Sequence, residues 1–109
     1  MIVPVQLEVA ELKAWLDEGR SLQIVDVREP HEWAICKIGP TTHYIPLAHV
    51  PSRANELDPD QPTVLVCRSG KRSLLALATL SNLGFEDLYN LKGGVLAWSD
   101  QIDPSLKKY

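Results

Sequence analysis

Cysteine is scarce in this chain: Cys36 and Cys67 are the only two among 109 residues. Two thiols close at most one disulfide, so a disulfide-stapled scaffold is excluded and reduced thiols are the default. An excess of positive charge is also missing. Eleven Lys and Arg stand against 14 Asp and Glu, a formal net charge of -3. That balance supplies no global basic field for nucleic acid. Long apolar runs are absent too, the longest being a few residues against the ~20 that a membrane-spanning helix needs. No membrane partner is expected. The opening Met1-Ile2-Val3-Pro4 carries neither a basic segment nor a long apolar one, so the sequence reads as that of a cytoplasmic protein. His31, His43 and His49 share no metal-ligand spacing, and the two cysteines are far apart. No metal site is expected from them.

What remains is an ordinary globular composition, with 45% hydrophobic and 23% charged residues, which argues against disorder. No repeat, low-complexity tract or charge block divides the chain. Residues 1–109 therefore read as one domain with a modest core. Val9, Leu12 and Leu16 fall on one face of a helix over 8–18, closed by Gly19. Leu22 to Val27 reads as a strand that ends in the charged cluster Asp26-Val27-Arg28-Glu29. Pro30 opens a short helix through Trp33. His43-Tyr44-Ile45 reads as a short strand, and residues 50–57 as a helix with Pro51 near its start. The turn residues of 58–62 precede the best strand, Thr63-Val64-Leu65-Val66. A leucine-rich helix over 73–83 ends at Gly84. Leu88 to Leu91 is a last strand, and Gly93-Gly94 opens a last helix through Trp98. Continuous apolar strands alternating with helices predict an α/β fold, a central parallel sheet flanked by helices on both faces.

The chemistry concentrates in one turn, Cys67-Arg68-Ser69-Gly70-Lys71-Arg72-Ser73. A cysteine stands at the carboxyl end of the strongest strand, where ligands bind in open α/β sheets. A loop that wraps into a helix start aims successive backbone N–H groups at one point, and the helix dipole adds positive potential there. Arg68, Lys71 and Arg72 add three cations, and Gly70 suits a tight loop or close approach of a substrate. Each of these favours a thiolate over a thiol. A P-loop is excluded, because its pattern needs Gly where Leu65 stands and Ser or Thr where Arg72 stands. A cysteine-dependent phosphatase places Arg six residues after its cysteine, where this chain has Ser73. The loop is one residue too short for a tetrahedral phosphate and is sized for a smaller group, such as a sulfur atom on Cys67.

Three segments together resemble the landmarks of a rhodanese domain. They are Asp26-Val27-Arg28-Glu29-x-x-Glu32-Trp33, Cys67 to Ser73, and Leu91-Lys92-Gly93-Gly94-x-x-x-Trp98. Ile35-Cys36-x-Ile38, Ile45-Pro46-Leu47 and Asp103-Pro104-Ser105-Leu106 are similar to the rhodanese domain at the C-terminus of MoeB/ThiF-like adenylyltransferase-sulfurtransferases. Cys36-Lys37 departs from the Gly-His that most members carry there.

The resemblance implies a sulfurtransferase with Cys67 as its catalytic residue. The Cys67 thiolate takes the outer sulfur of a sulfane donor such as thiosulfate or a persulfide. A thiol, cyanide or a sulfur-carrier protein then accepts that sulfur. Arg68, Ser69, Gly70, Lys71, Arg72 and Ser73 are the expected substrate-binding residues, and no metal or organic cofactor is required. An adenylyltransferase domain or partner follows from the closer resemblance, with the chain either free-standing or a piece of a fused enzyme. Other readings stay beside these. Cys36 reads as core, and Asp26, Arg28 and Glu32 as an ion-pair frame at a strand end. Gly93, Gly94 and Trp98 read as turn and packing residues. Arg72 and Ser73 divide evenly between substrate contact and capping. Trp15 and Trp33 fit either core or a partner surface. An interaction module that keeps the fold without turnover is the alternative to the enzyme.

Overall fold

A computed structural model describes residues 5–109. In chain order the elements are β1 (Gln6–Leu7), α1 (Val9–Asp17), β2 (Gln23–Asp26), α2 (Pro30–Ile35), β3 (His43–Tyr44), α3 (Val50–Arg53), β4 (Thr63–Val66), α4 (Arg72–Asn82), β5 (Leu88–Leu91) and α5 (Gly94–Gln101). The strands form one five-stranded sheet in the order β1-β5-β4-β2-β3, and every neighbouring pair is parallel. This is the α/β architecture expected from the alternating strand and helix patterns.

Successive strand residues point to opposite faces, and here both faces are covered. Val25, Val27 and Leu65 pack with Val50 of α3 and with Ala76, Leu77 and Leu80 of α4. Ile24, Val64 and Val66 pack on the other side with Val9 and Leu12 of α1 and with Val95 and Trp98 of α5. Neither face of β2 or β4 meets water, which is why these strands read as unbroken apolar runs. Each fully buried leucine contributes roughly 1.5–3 kcal/mol of transfer free energy to this sandwich. The carboxyl ends of β2 and β4 lie side by side, with Asp26 in register with Val66. The residues that follow each strand are therefore neighbours in space.

Three boundaries differ from the sequence reading. The helix expected over 50–57 is cut to α3, with a 3-10 turn before it (Leu47–His49) and a second after it (Ala54–Glu56). The Leu57 N–H closes that last turn on the Ala54 carbonyl at 3.0 Å, an i−3 bond tighter than α-helical. The turn delivers Leu57 into the core beside Phe85. Helix α5 runs on past Trp98 to Gln101, and α2 past Trp33 to Ile35. Strand β1 was not expected, and its two residues pair only with β5. Among the described residues, no helix is long and apolar enough to cross a membrane, and no group of His, Cys, Asp or Glu could hold a metal ion.

Candidate active site

Strand β4 runs between β2 and β5 and delivers Cys67 at its carboxyl end with 1% of its surface exposed. Residues 68–71 then turn back into α4. The Gly70 N–H donates to Cys67 Sγ at 3.1 Å, and the Ser73 hydroxyl lies 3.4 Å from the same sulfur. Ser73 also meets Asn90 Oδ1, and with a single proton it serves one acceptor at a time. The Asn90 amide nitrogen donates to the Gly70 carbonyl at 3.0 Å and to Gln6 Oε1 at 2.9 Å. A carbonyl only accepts, so this contact fixes which way the Asn90 amide points. The side chain thus ties β1, the loop and the start of α4 together.

The other side of the loop rests on α5. The Val95 and Leu96 N–H groups donate to the Cys67 and Arg68 carbonyls at 2.9 and 3.1 Å. Gly70 lies so flat against the turn between β5 and α5 that a Cβ there would stand 3.0 Å from the Gly93 nitrogen. The N–H groups of Lys71, Arg72 and Ser73 meet no backbone acceptor among the described residues. They remain available to an anion at the start of α4.

The six residues expected to bind substrate divide into three groups. Gly70 and Ser73 are buried and meet the Cys67 sulfur. Ser69 and Lys71 are exposed on the rim of the loop. Arg68 and Arg72 are both engaged by other parts of the chain. Arg68 donates to the Tyr109 carbonyl from Nε at 2.6 Å and also from Nη2. Arg72 donates from both Nη atoms to the two carboxylate oxygens of Glu32 at 2.6 and 2.7 Å.

Behind the loop stands the frame of Asp26, Arg28 and Glu32. Asp26 and Arg28 have no exposed side-chain surface, and Arg28 Nη2 meets Asp26 Oδ2 at 2.8 Å. Arg28 also donates to the Cys36 carbonyl at 2.7 Å, to the Glu32 carbonyl at 3.3 Å and to the Tyr109 hydroxyl at 2.8 Å. The Tyr109 hydroxyl donates in turn to Glu32 Oε2 at 2.7 Å. Cys36 is buried in the core between the sheet and α1 and α5.

The two Arg72 hydrogen bonds, helped by the Glu29 N–H and the Tyr109 hydroxyl, outweigh burial and draw the Glu32 carboxyl down from 4.5 to about 2. A depressed carboxyl stabilises the fold above its unfolded value, and that contribution is lost as pH falls through the folded one. The stability gap between wild type and Glu32→Gln is therefore expected to be full above about pH 5 and to close between about pH 4.5 and pH 2. Urea unfolding of both proteins across this range checks it. A gap that persists unchanged at pH 2 would show that the charge of Glu32 is not its source.

Asn90 and Tyr109 were not singled out from the sequence. Asn90 left a signal, since asparagine is a poor strand former and stands inside the apolar run Leu88-Tyr89-Asn90-Leu91. Tyr109 left none, because its partners lie about 40 and 80 residues away along the chain.

A parallel sheet with a buried thiol at the end of its middle strand, and a loop amide turned onto the sulfur, defines a cysteine-centred α/β domain. The chain belongs to the rhodanese-like domain family, whose family model matches residues 8–101. It is 41% identical over 101 residues to a Mycobacterium tuberculosis protein named "Probable adenylyltransferase/sulfurtransferase MoeZ", an alignment covering 91% of this chain. The chain spans about a quarter of that relative, 26% of its length. A protein of Allochromatium vinosum named sulfurtransferase is 34% identical over 94 residues, covering 86% of this chain and 87% of that one. The crystal structure of a rhodanese-like domain protein from Staphylococcus aureus matches with a TM-score of 0.82 at 31% identity. That match covers 96% of this chain and 98% of the other.

Proposed function

We propose that the chain is a sulfurtransferase in which Cys67 carries the moving sulfur as a persulfide. The observation that carries this reading is the Gly70 N–H on Cys67 Sγ at 3.1 Å, at the mouth of a loop whose next three amides lack backbone acceptors. With thiosulfate as donor, the Cys67 thiolate attacks the outer sulfur. The new S–S bond forms as the old one breaks, and sulfite leaves with its electron pair. The persulfide keeps one negative charge, which the loop amides stabilise. A nucleophile such as cyanide or a thiol then attacks the outer sulfur and releases the Cys67 thiolate, completing a two-step covalent cycle. No cofactor enters either step. The relatives' names favour a sulfur-carrier protein, activated by an adenylyltransferase, as the physiological acceptor.

Thiosulfate is expected to add one sulfur, about 32 Da, to the intact protein. Cys67→Ser is expected to abolish the gain and Cys36→Ser to leave it. Mass spectrometry of the three proteins checks this. An adduct that survives Cys67→Ser would overturn the mechanism. Native protein that gains no mass would point instead to a non-catalytic interaction module.

A further inference from the structure

Asn90 stands in β5, next to β4, with 1% of its surface exposed. Its amide nitrogen is claimed twice, by the Gly70 carbonyl at 3.0 Å and by Gln6 Oε1 at 2.9 Å. Turning the amide over would set its own oxygen against the Gly70 carbonyl, so its direction is fixed. Oδ1 is thereby left toward Ser73, whose hydroxyl is its only donor among the described residues. Ser73 is itself fully buried, so bulk water relieves neither group.

The Ser73 oxygen meets both Asn90 Oδ1 and, at 3.4 Å, Cys67 Sγ. An amide oxygen brings no proton of its own, so the Ser73 proton lies on the Asn90 side. The Ser73 lone pairs then face Cys67. They suit a thiol S–H, or the uncharged inner sulfur of a persulfide, better than a thiolate. Turning the proton onto sulfur would strand Oδ1 in the core without a donor, at the cost of its desolvation. Charge on Sγ is thus met by the Gly70 N–H but not by Ser73. Charge on an outer sulfur reaching into the loop would meet the amides of residues 71–73, which lack backbone acceptors.

We propose that Asn90 is a positioning residue that keeps the Ser73 proton off Cys67 Sγ and so makes the site hold its sulfur. The proposal rests on the persulfide reading, and it adds the side chain that sets how readily the sulfur is released. In discharge to cyanide, the carbon attacks the outer sulfur, a C–S bond forms and the S–S bond breaks. The electron pair of that bond returns to Sγ, leaving thiocyanate and the Cys67 thiolate. Sγ is the leaving group, and a hydroxyl withheld from it makes it a poorer one. Asn90 acts through Ser73.

The test is made in a Cys36→Ser background so that one thiol reacts. Two quantities are measured: the pH midpoint of alkylation by iodoacetamide, and the single-turnover rate at which thiosulfate-loaded protein passes its sulfur to cyanide. Asn90→Leu is close in shape but lacks the acceptor, which frees the Ser73 proton for Sγ. It is expected to lower the midpoint by about 0.5–1 unit and to speed discharge about threefold to tenfold. Ser73→Ala removes the acceptor of the S–H and is expected to lower the midpoint by about 0.2–0.5 unit. Adding Asn90→Leu to Ser73→Ala should change nothing further. Asn90→Asp loses the same bond to Gly70 but keeps an acceptor on Ser73, and its added charge opposes ionisation, so neither gain should appear. Arg72, which interacts with the Cys67 sulfur and carries Glu32, and the exposed Lys71 are common to all variants and cancel in the comparison.

An asparagine that merely braces the loop predicts the opposite sign, because loosening the Gly70 N–H raises the midpoint and slows the chemistry. An unchanged or higher midpoint in Asn90→Leu, or an unchanged or slower discharge, would therefore overturn the proposal. So would gains that persist without Ser73, or a raised midpoint in Ser73→Ala, which would place the proton on sulfur already. If Asn90→Leu does not fold, the sign of the Ser73→Ala shift decides alone. The two readings fail separately. A wild-type protein that takes no sulfur from thiosulfate removes the persulfide mechanism. A wild type that loads and discharges, with a Ser73→Ala midpoint above its own, removes only the role of Asn90.

Discussion

Arg28→Ala is expected to cost roughly 3–5 kcal/mol of folding stability, the usual penalty for removing one partner of a buried ion pair. Asp26 has no exposed side-chain surface, and Arg28 covers both of its carboxylate oxygens. Without the guanidinium, the carboxylate must either stay charged and unpaired in the core or bind a proton. The same truncation leaves the Cys36 and Glu32 carbonyls and the Tyr109 hydroxyl without their donor. Small domains are stable by only about 5–15 kcal/mol in all, so this variant is expected to be marginal at room temperature. Urea unfolding at pH 7, followed by tryptophan fluorescence, measures the loss. Arg28→Lys should recover little, because an ammonium cannot reproduce the fork that meets Asp26 edge-on. Replacing both partners by apolar residues of similar size should recover much of it, since the cost lies in the orphaned charge. A loss below about 1 kcal/mol in Arg28→Ala would show that water reaches Asp26 and that the pair is no buried frame.

The features that the sequence disclosed are those whose cause is local. Val64-Leu65-Val66 is apolar throughout because β4 is covered on both faces, and its strand character follows from that run alone. Cys67 is legible for a related reason. A thiol followed by polar residues and then an apolar helix is a strand-to-helix turn, and such a turn orients its own amides wherever it lies in the chain. Strand β1 has no such local cause. Gln6 and Leu7 are extended because β5 offers them a ladder, and a pair of residues carries no period to read. The eight residues 50–57 carried a helical pattern, but their length is marginal for a helix, and burying Leu57 decides the geometry.

Charge in the loop is less local. Arg68, Lys71 and Arg72 stand within five positions, and their sum suggests three cations aimed at one sulfur. In the fold, Arg72 is matched by Glu32, a residue 40 positions away, and Arg68 is held by a residue 41 positions away. Formal charge is local in sequence, but the field at a site depends on which charges are cancelled by partners. Of the three cations in this turn, Arg72 is therefore matched by the frame read from Asp26, Arg28 and Glu32, while Lys71 stands exposed on the rim.

Gly94→Ala is expected to be the most damaging single-atom change near the site. A Cβ at this position would stand 2.3 Å from the Cys67 carbonyl oxygen and 2.7 Å from the Arg68 carbonyl carbon and oxygen. All three are backbone atoms that no side-chain rotation can clear. Position 94 also has φ +57, which costs an L residue roughly 1–2 kcal/mol. To make room, α5 must draw away from the loop, and the Val95 and Leu96 hydrogen bonds to the Cys67 and Arg68 carbonyls go with it. At roughly 0.5–1.5 kcal/mol per hydrogen bond, the total reaches about 2–5 kcal/mol. The effect on chemistry should exceed what stability alone implies. Gly70 rests against the Gly93 nitrogen, so moving the start of α5 moves the amide that meets Cys67 Sγ. A displacement near 1 Å can cost on the order of 100-fold in rate. Gly39→Ala is the control, because nothing lies within 4 Å of its would-be Cβ, and it should change stability by no more than about 0.5 kcal/mol. Urea midpoints and the rate of sulfur uptake from thiosulfate, measured where each variant remains folded, separate the two effects. A Gly94→Ala protein that unfolds and takes up sulfur like wild type would mean that the loop carbonyls are not seated on α5, and that Cys67 is positioned by β4 and α4 alone.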